Sequence, residues 1–471
     1  MKIKDKPEDS RSIEGRNVKR LESGFNSDGL IKVVSENHPA FTRRKAAVER
    51  QMIERILSKE NMTSAYRQVF GNKGSAGVDG MEVKDLKPYL NKHWTSIKAS
   101  IQENRYRPIP VRGVEIDKPK GGKRLLGIPT VLDRMIQQAI QQELSKHYDP
   151  TFSPFSFGFR KGKNCHQAIK QALTYVNGGC HYVVDIDLSK FFDRVNHDHL
   201  MGLLAKAIKD KVLLKLIRRY LQSGILLDGL TSKRTEGTPQ GSPLSPLLSN
   251  IVLNELDKEL TRRGHKFVRY ADDFSIYVRT KRSAHRVMRS VTQYVEDKLK
   301  LKVNKQKSAV RYAGHMELLG YGIYRTRSQQ FSLRVIDGNW QKFVRKCKEI
   351  TRKTKPYTLI ERTEKLRQLG YGWIGYFRYA NIRSRLAELD RILTGRLRYC
   401  IWKSWKRLRT RIRNLKRLGV PLWLAIKWGL NRKGGWHIVN TPILKTTITT
   451  DRLKQRGFMP MSEIFVRYRH V

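Results

Sequence analysis

The stretch "HKFVRYADDFSIYV", residues 265–278, places two acidic residues side by side between runs of β-branched and aromatic residues. "FVRY" and "FSIYV" read as two strands, and "ADD" as the tip of a tight hairpin. A turn alone accounts for an aspartate, because its side chain bonds the local backbone. A second acidic strand end changes that reading. In "HYVVDIDLSKFFDRV" (181–195) a buried strand runs from Tyr182 to Ile186, and strand alternation puts Asp185 and Asp187 on one face. If this strand neighbours the hairpin, Asp187 and Asp272 converge on one point. Carboxylates there suit Mg²⁺, which prefers hard oxygen ligands and keeps water and substrate phosphate in its other positions. Two such ions, about 3.5–4 Å apart, clamp the attacking and leaving oxygens of an in-line phosphoryl displacement. The residues themselves do not choose between Asp185 and Asp187.

The composition around these acids is strongly basic: 95 Lys plus Arg against 42 Asp plus Glu, a formal charge of +53 on 471 residues. A polyanion is the expected partner. No run of roughly 18 apolar residues suggests a membrane span, and the opening "MKIKDKPEDSRSIEGR" has no apolar signal-peptide core. Nucleic acid is therefore expected, and no membrane. Cys165, Cys180, Cys347 and Cys400 form no CxxC pair, which argues against a zinc ribbon or disulfide framework and fits a reducing cytoplasm.

Along the chain, residues 1 to about 40 are polar with little periodicity and are expected to order only on binding. "AAVERQMIERIL" (Ala46 to Leu57) has helical spacing, and "GNKGSAGVDGMEV" (71–83) reads as a loop, with a weak claim to holding phosphates. Thr130 and Asp133 resemble a capping box ahead of Ile136, Ile140 and Leu144 on one helical face. Strands interleave with helices from 110 to 335. Between 341 and 420 there are 24 Lys plus Arg and 5 Asp plus Glu, or 24 − 5 = +19, with aromatics interspersed, as expected of a basic helical domain.

Several motifs resemble those of group II intron reverse transcriptases. "DLSKFFD" (187–193) is similar to their motif A, "GTPQGSPLSPLLSN" (237–250) to motif B, and "YADD" (270–273) to motif C. "LKLKVNKQKS" (299–308) and "ELLGYGI" (317–323) resemble motifs D and E, residues 90–130 the fingers, and residues 368–410 the thumb or X domain. The resemblance implies an α+β right-hand polymerase, with fingers and palm carrying antiparallel sheet, followed by a helical thumb. It selects Asp187 as a metal ligand, five residues before Phe192, and leaves Asp185 outside the ligand set. It implies that Asp187 and Asp272 hold two Mg²⁺ ions (Mn²⁺ can substitute), with Asp273 supporting the metal site. Phe192 would exclude a 2′-hydroxyl, Gln240 and Gly241 would approach the template and nucleotide, and Lys307 would protonate departing pyrophosphate. Lys118 and Arg124 are the expected triphosphate grips, with Lys123 able to exchange roles with Lys118. Trp373, Tyr376, Phe377 and Tyr379 are expected mostly in thumb core.

The expected domains are an N-terminal extension (1–60), fingers and palm (61–335), thumb (336–425) and a basic C-terminal segment (426–471) without an HNH endonuclease. The expected function is DNA synthesis from dNTPs on an RNA template, with binding of group II intron RNA to assist splicing and retrohoming at a DNA target or primer. The alternative is a related enzyme recruited to DNA repair or phage defence. Action in a bacterial cytoplasm, in part at the nucleoid, as monomer or dimer, completes the expectation.

Overall fold

A computed structural model of the chain describes residues 52–117 and 121–469. The expected N-terminal extension up to residue 51, the first half of the helix expected from Ala46, and Lys118 lie outside the described residues; residues 52–56 are helical.

The helix over Val131–Tyr148 begins where expected, with Thr130 Oγ1 accepting the Asp133 N–H at 3.1 Å. The carboxylate of Asp133 does not close the box. It instead accepts from Tyr106 Oη at 2.8 Å, Tyr220 Oη at 3.1 Å and Thr130 Oγ1 at 2.9 Å, tying three parts of the fingers together. Ile136, Ile140 and Leu144 on this helix are fully buried.

Strands β1 (Val111–Asp117) and β2 (Lys123–Ile128) form the fingers hairpin. β3 (Tyr182–Ile186) opens the palm. β4 (Ile225–Leu227) and β5 (Leu230–Ser232) return to the fingers, where β4 joins β1 in parallel, a departure from the expected antiparallel pattern limited to a short register at Val111↔Ile225 and Arg112↔Leu226. The palm sheet is completed by β6 (Lys266–Tyr270), β7 (Asp273–Val278) and β8 (Ala309–Tyr312), in the order β6-β7-β3-β8, all antiparallel. A third sheet pairs β9 (Glu317–Leu318), β10 (Tyr321–Arg325) and β11 (Phe331–Val335).

The palm sheet is buried on both faces, which is why its strands read as near-continuous apolar runs. Val184, Ile186, Phe267, Phe274 and Ile276 pack into the core shared with the fingers. Val183, Val268 and Tyr277 pack into a second core shared with the thumb. The thumb is helical, as expected, with long helices at Leu359–Phe377 and Arg383–Ser404. Trp373 stacks on Phe343 with centroids 4.1 Å apart, and Phe377 is buried against Tyr321. Tyr376 and Tyr379 sit instead at the palm junction, where Tyr376 Oη donates to the Leu319 carbonyl and Lys170 lies over the Tyr379 ring.

The C-terminal segment folds back on the thumb. Asp390 accepts the N–H groups of Met461 and Ser462 at 2.6 and 2.9 Å, capping the Met461–Arg469 helix. The expected boundary at 425 falls inside the Leu422–Gly429 helix, and the thumb core continues across it.

Candidate active site

β6 and β7 pair up to Tyr270↔Asp273, so the hairpin loop is Ala271 and Asp272 alone. The third residue of "ADD" is the first residue of β7, because the ladder absorbs it. Ala271 takes φ +59°, a left-handed conformation that costs a non-glycine residue about 1–2 kcal/mol. Such strain persists only where neighbours over-determine the backbone.

The β3–β7 register ends at Ile186↔Phe274, so Asp187, one residue on, leaves β3 opposite Asp273 and beside Asp272. The backbone of Asp187 is held on the other side: its N–H donates to Ser308 Oγ at 3.0 Å, and its carbonyl accepts the Asn304 N–H at 2.8 Å. The same 302–308 segment brings Lys307 Nζ to 3.6 Å from Asp187 Oδ2. The structure thus assembles Asp187, Asp272, Asp273 and Lys307 from three separated motifs.

Burial and neighbouring charge act on Asp185, Asp272 and Asp273. Burial pushes the Asp272 carboxyl up and the Asp187 charge adds to this, while its own backbone N–H and the Arg124 and Arg269 guanidiniums oppose it. Burial also raises Asp185, to about 6, against the pull of Arg311 and with the push of Asp187 and Glu317. Asp273 is driven upward by its packed surroundings and then by Asp272, Asp185 and Asp187, but its side chain reaches solvent and water screens much of that rise. Among the described residues none of Asp185, Asp272 and Asp273 has an ion-pair partner within 4.0 Å. Nor do three or more His, Cys, Asp or Glu side chains among them close into a cage. Uncompensated carboxylate oxygens with room left for water and phosphate fit Mg²⁺ better than a thiolate- or imidazole-binding metal.

The raised Asp185 carboxyl has a pH consequence. A carboxylate whose folded pKa exceeds its unfolded value destabilises the metal-free fold once ionised, a penalty absent below about pH 3.9 and complete above about pH 6. Mg²⁺ bound beside it would relieve this crowding, so its thermal stabilisation should be larger at about pH 7 than at about pH 4.5, on either side of most of that window. Scanning calorimetry with and without Mg²⁺ at the two pH values checks it; equal shifts would contradict the carboxylate assignment.

Beside the acids lies a cavity of about 490 Å³ lined by Arg124, Phe192, Gln240 and Gly241, together with Arg134 and Phe159. Of the two motif A phenylalanines, Phe191 is 2% exposed and belongs to the core, while Phe192 is only partly buried and faces the cavity. The Thr238 N–H donates to the Phe192 carbonyl at 2.6 Å, tying motif A to the motif B loop. Gly241 has φ +121°, and a Cβ there would lie 2.8 Å from the Gly127 carbonyl oxygen of β2, so the loop needs glycine both for conformation and for approach.

Strand alternation divides the basic residues of β2. Arg124 faces the cavity, whereas Lys123 is on the opposite face in an ion pair with Glu115, away from the place where it was expected to grip phosphate. Arg134 supplies a second guanidinium that sequence reasoning missed; its Nη2 donates to the Ser75 carbonyl at 2.6 Å. The 71–80 loop packs tightly there, since a Cβ on Gly77 would lie 2.7 Å from Thr130 Cα. Gly74 and Gly77 serve contact with the start of the fingers helix, and only Asn72 of that loop reaches the cavity.

Residues 116–323 match the family "Reverse transcriptase (RNA-dependent DNA polymerase)", and residues 340–419 match "Group II intron, maturase-specific domain". The chain carries a reverse transcriptase domain followed by a group II intron maturase-specific domain. The chain is 30% identical over 330 residues to the group II intron-encoded protein LtrA of Lactococcus lactis subsp. cremoris, covering 56% of the chain and 55% of that relative. It is 29% identical over 328 residues to protein YkfC of Escherichia coli (strain K12), covering 61% and 86%. A putative COX1/OXI3 intron 2 protein of Saccharomyces cerevisiae is 25% identical over 373 residues, covering 65% and 42%. The chain thus spans about half the length of LtrA. The first family match covers the acidic site and most of its cavity, and the second lies within the basic helical thumb.

Proposed function

We propose that this chain is an RNA-directed DNA polymerase that also binds group II intron RNA, assists its splicing and copies it during retrohoming. The single observation that carries the polymerase half is the meeting of Asp187 and Asp272 at adjacent strand ends, beside a cavity lined by Arg124 and Phe192. Asp187 and Asp272 would hold Mg²⁺, with Asp273 beside them, and the bound cation would supply Lewis-acid stabilisation of phosphoryl transfer. The residues of the chain do the rest. Arg124 offers a planar fork to triphosphate oxygens, with Arg134 adding positive charge across the cavity. Phe192 occupies the space of a ribose 2′-hydroxyl, Gln240 and Gly241 present backbone to the template pair, and Lys307 Nζ is the proton donor to departing pyrophosphate. Fingers and palm span 61–335 and the thumb begins at 336.

The maturase half is supported by the thumb's charge. Its exposed Arg and Lys side chains exceed what solubility requires and suit an A-form backbone, read through phosphates and 2′-hydroxyls. Among the described residues no helix is long and apolar enough to cross a membrane. We place the protein's action in the cytoplasm, on RNA and on the DNA that primes synthesis.

The test is primer extension on an RNA template with dNTPs and Mg²⁺, together with splicing of the intron RNA at limiting Mg²⁺ with and without protein. Neutralising the exposed Arg409 and Arg413 should weaken RNA binding and lower its log–log salt slope by about 0.7–0.9 for each phosphate no longer neutralised. An unchanged slope in filter binding would remove this face of the thumb from the RNA interface.

A further inference from the structure

Arg269, in the middle of "FVRY", is completely buried in a chain whose other arginines mostly reach solvent. Its Nε and Nη2 donate to the two carboxylate oxygens of Asp257 at 2.8 and 2.6 Å, and Asp257 is equally buried. Nη1 donates to Asn250 Oδ1 at 2.9 Å and to the Ala271 carbonyl at 3.0 Å. Asn250 in turn donates through Nδ2 to the Gly158 carbonyl at 2.9 Å. Gly158 lies against the turn so closely that a Cβ on it would be 2.2 Å from the Ala271 nitrogen. Asp257 and Asn250 both belong to the Ser245–Arg262 helix, whose first turn lines the nucleotide cavity and whose Ser245 Oγ donates to the Pro239 carbonyl at 2.8 Å.

We infer that Arg269 is the positioning residue of the catalytic turn: clamped by Asp257 and Asn250, it holds the Ala271 carbonyl and thereby aims the Asp272 carboxylate at the metal. The strained φ of Ala271 needs such a brace, and Arg269 with Gly158 provides it from both sides of the residue. Because the clamp sits on the helix that begins within motif B, the metal turn and the nucleotide cavity are fixed to one rigid element. The inference rests on the polymerase reading for what the turn does.

Removing one partner would leave an uncompensated buried charge, so the informative variant removes both, as Arg269→Met with Asp257→Leu. The folded double variant is expected to keep the wild-type affinity for primer–template and the wild-type KM for dNTP. Its kcat and its Mn²⁺ affinity by titration calorimetry should each fall about 10- to 100-fold, the usual effect of losing an outer support of a metal ligand. A folded double variant with wild-type kcat and wild-type Mn²⁺ affinity would reduce the pair to a packing element and overturn the inference. If the double variant does not fold, Asn250→Ala, which keeps the ion pair and loosens only the clamp, should shift kcat and Mn²⁺ affinity in the same direction, and no shift there overturns it equally. Failure of wild-type protein to extend any primer would instead count against the polymerase reading, and the Mn²⁺ titrations would still decide the brace.

Discussion

Asp272→Ala is expected to lower primer extension by about 10³-fold or more while leaving RNA affinity within about twofold, because on the proposed reading it removes a metal ligand worth several kcal/mol of transition-state stabilisation and no phosphate contact. Two features of the structure make this a sharp experiment. Asp272 sits in a two-residue loop and forms no ion pair with the described residues, so its loss breaks no structural link. Burial and the neighbouring Asp187 already disfavour its charged form, so the metal-free variant should be at least as thermally stable as the wild type. A stable, RNA-binding, inactive protein is the expected result in parallel extension, filter-binding and melting measurements. Retained extension would remove Asp272 from the metal site, whereas loss of folding would show that the loop carries structural weight absent from its contacts.

Asp187→Ala should behave differently in one respect. Lys307 Nζ lies 3.6 Å from the Asp187 carboxylate, so the variant also frees that lysine. The pair is substantially exposed and contributes little stability by itself.

Much of this site was legible because its chemistry lies at strand ends. The β3 strand and the β6–β7 hairpin follow from apolar runs bounded by polar residues, and the register between them then forces Asp187 toward Asp272. Phe192 was separable from Phe191 only through the motif resemblance; the structure supplies the physical reason, since one side chain enters the core and the other faces the cavity. Lys123 shows a different limit. In a basic hairpin every cation looks able to reach a phosphate; strand alternation puts Lys123 and Arg124 on opposite sides, and only the fold reveals which side meets the cavity. Arg269 was invisible for a deeper reason. Its partner Asp257 lies on a helix outside the strand pattern, and within "FVRY" a basic residue looks like one more solvated position. Arg134 was hidden likewise, since its role depends on the 71–80 loop folding back against the fingers helix.

The excess charge and the acidic turn belong to one arrangement. A duplex and its template need a positive channel, while the cations that drive chemistry need a small negative focus within it. Arg124 joins the two, lining the nucleotide cavity while drawing the Asp272 carboxyl downward against its burial. On the proposed reading, neutralising Arg124 would affect nucleotide grip and the metal site together, which is why Phe192 gives the cleaner probe of substrate choice.

Phe192→Ala is expected to lower discrimination against ribonucleotides by about 10- to 200-fold, the range available to a pocket that rejects a substrate by shape alone. The ring lines the same cavity as Arg124 and Gln240, and the Thr238 N–H bonded to its backbone carbonyl fixes the main chain from which it projects. Packing edge-to-face against buried Phe191, with centroids 5.3 Å apart, restrains it further. Alanine leaves that anchoring intact and removes only the ring, so folding and dNTP incorporation should change much less than rNTP incorporation. Phe192→Val, with a smaller void, should give an intermediate ratio. The measurement is kcat/KM for a dNTP and its matching rNTP on one RNA template in wild type and both variants. A graded fall in the ratio from Phe to Val to Ala assigns sugar selection to this ring, while an unchanged ratio would place the 2′-hydroxyl check elsewhere in the cavity.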